Sequence, residues 1–126
     1  MRKIQISEAE SRVMQVLWER SPLGADAVVK ALSPGTGWQD KTIKTLLNRL
    51  LRKGALRHER DGRRYLYSPA VSRDDYLNQE SRGLVNRLFN GRVAPLVAHF
   101  REHEELSATD IAELRQLLDD IEHGGD

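Results

Sequence analysis

The stretch from Trp38 to Tyr67, WQDKTIKTLLNRLLRKGALRHERDGRRYLY, restricts the fold more than any other part of this chain. Ile43, Leu46, Leu47, Leu50 and Leu51 recur at three- and four-residue spacing, which makes one apolar stripe along a helix. Lys41, Lys44, Thr45, Asn48 and Arg52 fall on the other face, which carries cations, a hydroxyl and an amide. Gly54 supplies the left-handed residue that commonly ends a helix, and Arg52 and Lys53 sit in the last turn, where cations suit the helix dipole. Ala55 to Arg60 and Arg63 to Ser68 then read as two strands, joined by Asp61-Gly62 in a type I′ turn.

A helix with an outward basic face, followed at once by a basic hairpin, suits a major groove and its flanking phosphates. The pattern predicts a winged helix-turn-helix. An ordinary surface helix whose charges are merely solvated satisfies the same spacing.

Charge distribution bears on that choice. The formal net charge is only +1, yet residues 1–70 hold 14 Lys and Arg against 7 Asp and Glu, while residues 71–126 hold 6 against 12. A basic half joined to an acidic half implies that only one of them meets a polyanion. No apolar run approaches the roughly 18 residues that span a bilayer, and MRKIQISEAE lacks a signal-peptide core. The absence of cysteine excludes disulfides and thiolate metal sites, and a cytoplasmic location is the expectation.

Ser7-Glu8-Ala9-Glu10 matches a capping box and predicts a helix from Glu8 to about Arg20, with Ala9, Val13, Val16 and Leu17 inward and Trp18 at the core edge. Ser21-Pro22-Leu23-Gly24 breaks the chain. A short helix from about Ala25 to Leu32 follows, and Ser33-Pro34-Gly35-Thr36-Gly37 reads as a compact loop. Beyond the hairpin, Ser72 caps a long helix that ends near Asn90-Gly91. A segment from Val93 to Phe100 carries Pro95 in its first turn, and a last helix opens at Ser107-Ala108-Thr109-Asp110. The tail from Glu122 to Asp126 is expected to fray. The predicted fold is mostly α with a small β-hairpin: a winged-helix DNA-binding domain over residues 1–70 and an all-helical dimerisation domain over 71–126.

Ile6-Ser7-Glu8-Ala9-Glu10, Val13-Met14, Leu17-Trp18, Trp38, the run from Lys41 to Leu50 and Lys53-Gly54 together resemble the penicillinase repressor family (BlaI/MecI/CopY). The likeness continues through Leu96-Val97, Phe100, Leu106-Ser107 and Leu114-Arg115, so it covers nearly the whole chain. The resemblance implies a dimeric winged-helix repressor on a palindromic operator of the ACA/TGT type. In the β-lactam branch a membrane sensor metalloprotease leads to cleavage of the repressor. In the copper branch a cysteine motif binds the metal, and this chain has no cysteine to do so. The cut falls between an asparagine and a phenylalanine in the staphylococcal members. Here His99-Phe100 stands at that place, with histidine in place of the asparagine, and Phe100 reads equally as a core aromatic.

Thr42, Lys44 and Thr45, with Lys41 beside them, are the candidates for the groove floor, because threonine meets base edges and thymine methyls and lysine reaches guanine acceptors. Arg49, Arg52, Arg63 and Arg64 are assigned to the phosphate backbone or the minor groove, although Arg49 also fits an ion pair on the protein itself. One helix reads too few base pairs to select a promoter. The apolar side chains Tyr76, Leu77, Leu84, Leu88, Phe89, Leu96, Phe100, Ile111, Leu114, Leu117 and Leu118 are therefore expected to join two copies, unless the arm folds back on the N-terminal core.

Two other function classes fit parts of the chain. His99, Glu102 and His103 spell H-x-x-E-H, a zinc-hydrolase spacing whose third ligand is not evident beyond the isolated His58, Glu105 and His123. A winged helix that binds only an acidic protein partner is the other. No cofactor motif is present, and no enzymatic activity is expected.

Overall fold

The structure, a computed structural model, describes residues 4–124. Its element order is α1 (Glu8–Glu19), β1 (Leu23–Gly24), α2 (Ala25–Thr36), α3 (Asp40–Lys53), β2 (Leu56–Asp61), β3 (Arg64–Pro69), α4 (Arg73–Phe89), α5 (Val93–Glu102) and α6 (Ala108–Asp119), closed by a π-helical turn over Asp120–Gly124. Contacts divide the chain into two compact units between Gln79 and Glu80, inside α4.

The first unit holds the hydrophobic core. Val13, Met14 and Leu17 of α1, Val28 and Leu32 of α2, and Ile43, Leu46, Leu47 and Leu50 of α3 are buried together with Ala55, Leu56 and Tyr67. Each such aliphatic side chain contributes about 1.5–3 kcal/mol of transfer free energy when fully buried. That burial fixes which face of α3 looks outward. The predicted capping box opens α1: the Glu10 N–H donates to Ser7 Oγ at 3.1 Å, and the Ser7 N–H donates to Glu10 Oε1 at 2.9 Å. Trp18 lies at the core edge as expected, its indole N–H donating to the Val71 carbonyl at 3.0 Å and its ring 5.8 Å from that of Tyr76.

Four local expectations are corrected. The second helix does not stop at Leu32 but runs to Thr36 with Pro34 inside it. Thr36 Oγ1 donates to the Leu32 carbonyl at 2.8 Å, and the N–H of Gly37, at φ +73°, donates to the Ser33 carbonyl at 2.8 Å. Bonds to neighbouring carbonyls thus carry the helix through residues that otherwise favour a loop. The break at Ser21–Gly24 contains β1, which pairs with β3 and makes a three-stranded sheet of order β1-β3-β2.

The hairpin turn is displaced by one residue. Asp61 pairs with Arg64, so Gly62-Arg63 is the two-residue loop. Only Gly62 takes positive φ, at +66°, the pattern of a type II′ turn with glycine first and not of a type I′ turn on Asp61-Gly62. Finally, Glu122 to Gly124 do not fray, because the π turn includes them and His123 Nδ1 lies 3.0 Å from Asp119 Oδ1. Gly125 and Asp126, also in the expected fraying tail, lie outside the described residues.

The second unit comprises the rest of α4 with α5, α6 and the π turn. α4 ends at Phe89, followed by Asn90 at φ +52° and Gly91 at φ +78°. Pro95 falls in the first turn of α5, and Ser107 and Asp110 form a second capping box at the start of α6. None of these three helices contains a buried residue.

Candidate nucleic-acid interface

α3 is the element around which the site is built. Its start lacks a side-chain cap at Gln39, and Asp40 provides the one acidic side chain of its first turn. Its end is closed by Gly54 at φ +83°, with the Ala55 N–H donating to the Leu50 carbonyl at 3.0 Å. Between these ends Lys41, Thr42, Lys44, Thr45, Asn48, Arg49 and Arg52 are all exposed. At about 100° per residue, Lys41, Thr45, Asn48 and Arg52 line the centre of the face opposite the buried stripe. Thr42 and Arg49 flank one side and Lys44 the other.

Lys53 falls beside the stripe and has a structural partner. Its Nζ donates to Glu10 Oε1 and, at 2.9 Å, to the Gln5 carbonyl. Burial raises the pKa of Glu10, but the hydrogen bonds and charge of Lys53 and the bonds to Ser7 outweigh it, so the carboxyl titrates below its usual range. The pair ties the start of α1 to the end of α3. Arg49 has no such partner: among the described residues it makes no ion pair.

Thr45 is the most specific feature of the outward face. Its hydroxyl donates to the Lys41 carbonyl at 2.9 Å. In this rotamer its proton is occupied, so the side chain offers lone pairs and a methyl group. That combination suits a base amino group or a thymine methyl.

The wing adds a second cluster of cations. Arg63 occupies the turn itself and is free of ion pairs among the described residues, whereas Arg64 Nη2 lies 3.3 Å from Asp61 Oδ2. Arg64 is 70% exposed, so that contact is screened by solvent and weak. Arg60 is the third cation flanking the tip, and two of the wing's contacts were not foreseen: Arg60 Nε donates to the Gly62 carbonyl at 3.2 Å, and His58 stacks on Tyr65 with ring centroids 4.6 Å apart. Alternation along β2 and β3 was the available signal, since it places His58, Arg60, Tyr65 and Tyr67 on one face.

The remaining predicted residues sit as follows. Tyr76 is half-buried in the first unit against Trp18. Leu77, Leu84, Leu88, Phe100, Ile111, Leu117 and Leu118 are exposed, and Phe89, Leu96 and Leu114 are half-buried. His99 and Phe100 lie within α5, both exposed. The His99 and His103 rings stand 4.5 Å apart, but among the described residues no group of three His, Asp or Glu side chains could hold a metal ion. Among the described residues, too, no helix is long and apolar enough to cross a membrane.

A three-helix core whose third helix turns a polar, cationic face outward, followed by a basic two-stranded wing, defines a winged-helix DNA-binding protein. Residues 6–120 match the model of the penicillinase repressor family. The chain is 42% identical to the penicillinase repressor of Bacillus licheniformis over 95% of its own length and 94% of that protein. It is 32% identical to the penicillinase repressor of Staphylococcus aureus over 95% of each. It is also similar to the solution structure of the B. licheniformis BlaI monomeric form in complex with the blaP half-operator, at 47% identity and a TM-score of 0.53, covering 60% of this chain and 94% of that one. The chain belongs to the penicillinase repressor family of DNA-binding transcriptional repressors. Members of that family are not enzymes, which sets aside the zinc-hydrolase reading of His99, Glu102 and His103.

Proposed function

We propose that two copies of this chain occupy one palindromic operator, with residues 1–70 binding DNA and residues 71–126 joining the copies. The observation that carries the dimer is the second unit's apolar surface: Leu88 is 61% exposed, Leu117 and Leu118 are each 57% exposed, and Ile121 is 74% exposed. Helices that leave this much apolar surface open gain most by burying it against a two-fold copy. The relative bound as a monomer to a half-operator supports one α3 per half-site here. Thr42, Lys44 and Thr45 read bases in this scheme. Arg49, Arg52, Arg63 and Arg64 hold phosphates. Two α3 helices then lie about 34 Å apart, one DNA turn.

Release is proposed to follow from cleavage in the second half of the chain. A membrane sensor metalloprotease is proposed to cut His99-Phe100, which would detach all of α6 with Ile111, Leu114, Leu117 and Leu118. Because the bond lies within α5, that part of the helix must unwind to enter a protease. The repressor works in the cytoplasm on this reading. Titrating a duplex from the DNA upstream of its own gene tests the proposal: tight, salt-sensitive binding of two chains is expected, and binding no tighter than to scrambled DNA would refute it.

A further inference from the structure

The end of the wing extends beyond the core. Leu56 and Tyr67 are buried at its base, whereas His58, Arg60 and Tyr65 are exposed. β1 pairs with β3 only at Leu66 and Tyr67, so the tip has two strands alone; a two-stranded hairpin is marginal in water, and the tip needs order from its own side chains. One face of the hairpin supplies an unbroken chain of contacts. From the buried Tyr67 ring it passes to His58, 6.0 Å away, and from His58 to Tyr65, stacked at 4.6 Å with ring planes 15° apart. The Arg60 guanidinium carbon stands 5.8 Å from the centre of the Tyr65 ring, and Arg60 Nε donates to the Gly62 carbonyl at 3.2 Å. That carbonyl belongs to the peptide group that joins Gly62 to Arg63.

Every rung follows from strand register. Arg60 lies opposite Tyr65 and His58 opposite Tyr67, so His58 and Tyr65 are diagonal neighbours within reach of aromatic rings. We propose that Tyr65 is a positioning residue for DNA binding: its ring links the core to the turn and so holds Arg63 where a phosphate meets the wing. The inference rests on the wing contact proposed above.

A double-mutant cycle on a fluorescent operator duplex tests it. One phosphate contact with a salt slope near 0.9 contributes about eightfold at 0.1 M salt relative to 1 M, and the two copies on one operator make it twice, so Arg63→Ala is expected to weaken binding about sixtyfold. In a Tyr65→Ser background the same substitution should cost less than about twofold, and Tyr65→Ser alone should flatten the salt slope by almost as much as Arg63→Ala does. Tyr65→Phe keeps the ring and should behave as the parent. His58→Ala breaks the chain one rung earlier and should reproduce Tyr65→Ser if that variant proves unstable. An undiminished Arg63→Ala effect in both the Tyr65→Ser and the His58→Ala backgrounds would overturn the positioning role, as would a Tyr65→Phe variant as weak as Tyr65→Ser. If Arg63→Ala binds as tightly as the parent, the wing contact itself is wrong, a result distinguishable from the other two.

Discussion

Replacing Glu10 separates the forces that hold α3 in place. Its carboxylate is only 2% exposed, accepts the Ser7 N–H at 2.9 Å and receives Lys53, itself 37% exposed. Glu10→Gln keeps the volume and an oxygen acceptor and loses the charge. A charge-assisted bond contributes about 1.5–3 kcal/mol, and the partial exposure of Lys53 reduces this to about 1 kcal/mol. Glu10→Ala also loses half of the capping box, about 1 kcal/mol, and buried side-chain methylenes at about 0.8 kcal/mol each. Its total cost is about 3 kcal/mol.

The pH dependence gives an independent check. Because the folded-state pKa of Glu10 is depressed, its contribution is complete above the ordinary glutamate value of about 4.3. It is lost as pH falls through the lower native value. Urea unfolding of parent and Glu10→Gln should therefore differ by about 1 kcal/mol at pH 7 and converge in acid below pH 4. Equal midpoints at pH 7, or a gap that persists unchanged in acid, would refute the reasoning.

Three further outcomes are expected. Thr45→Ala should weaken operator binding about tenfold per half-site, the size of one base contact, and so about a hundredfold for two copies, with little effect on random DNA, whereas Arg63→Ala should weaken both alike; equal losses on both DNAs for Thr45→Ala would contradict its role as a base reader. Sedimentation at micromolar concentration should show a dimer for the parent and mostly monomer for Leu88→Asp, and a monomeric parent would reject the apolar face as the joint. Mass spectrometry after incubation with the cognate sensor protease should find a fragment of residues 1–99, and intact chains under inducing conditions would count against cleavage at His99-Phe100.

Helical periodicity made α1 and α3 legible, because a stripe such as Ile43, Leu46, Leu47 and Leu50 has one way to face a core, and Ser7 and Gly54 mark where the helices begin and end. The outward face of α3 followed from the same stripe. Elements set by tertiary pairing were hidden. Two residues of β1 have no periodicity to read and exist because β3 offers them a partner. The hairpin slipped by one residue because Asp61-Gly62 and Gly62-Arg63 both contain the glycine a tight turn needs, and pairing along the whole of β2 and β3 decides between them. The end of α2 was lost to its own composition, since Ser33, Pro34 and Gly35 favour a loop until Thr36 and Gly37 close the last turn. Lys53 shows a different limit: its place in the last turn was legible, its bond to Glu10 43 residues away was not.

The central claim is that two cationic α3 faces read one duplex together. Anisotropy titration of the promoter duplex against a scrambled duplex, between 50 and 200 mM salt, measures it directly. Two chains per duplex, a clear preference for the promoter and a log–log salt slope of about −7, from Arg49, Arg52, Arg63 and Arg64 of both copies, are the predicted result. A single chain per duplex, or equal affinity for the two sequences, would contradict it.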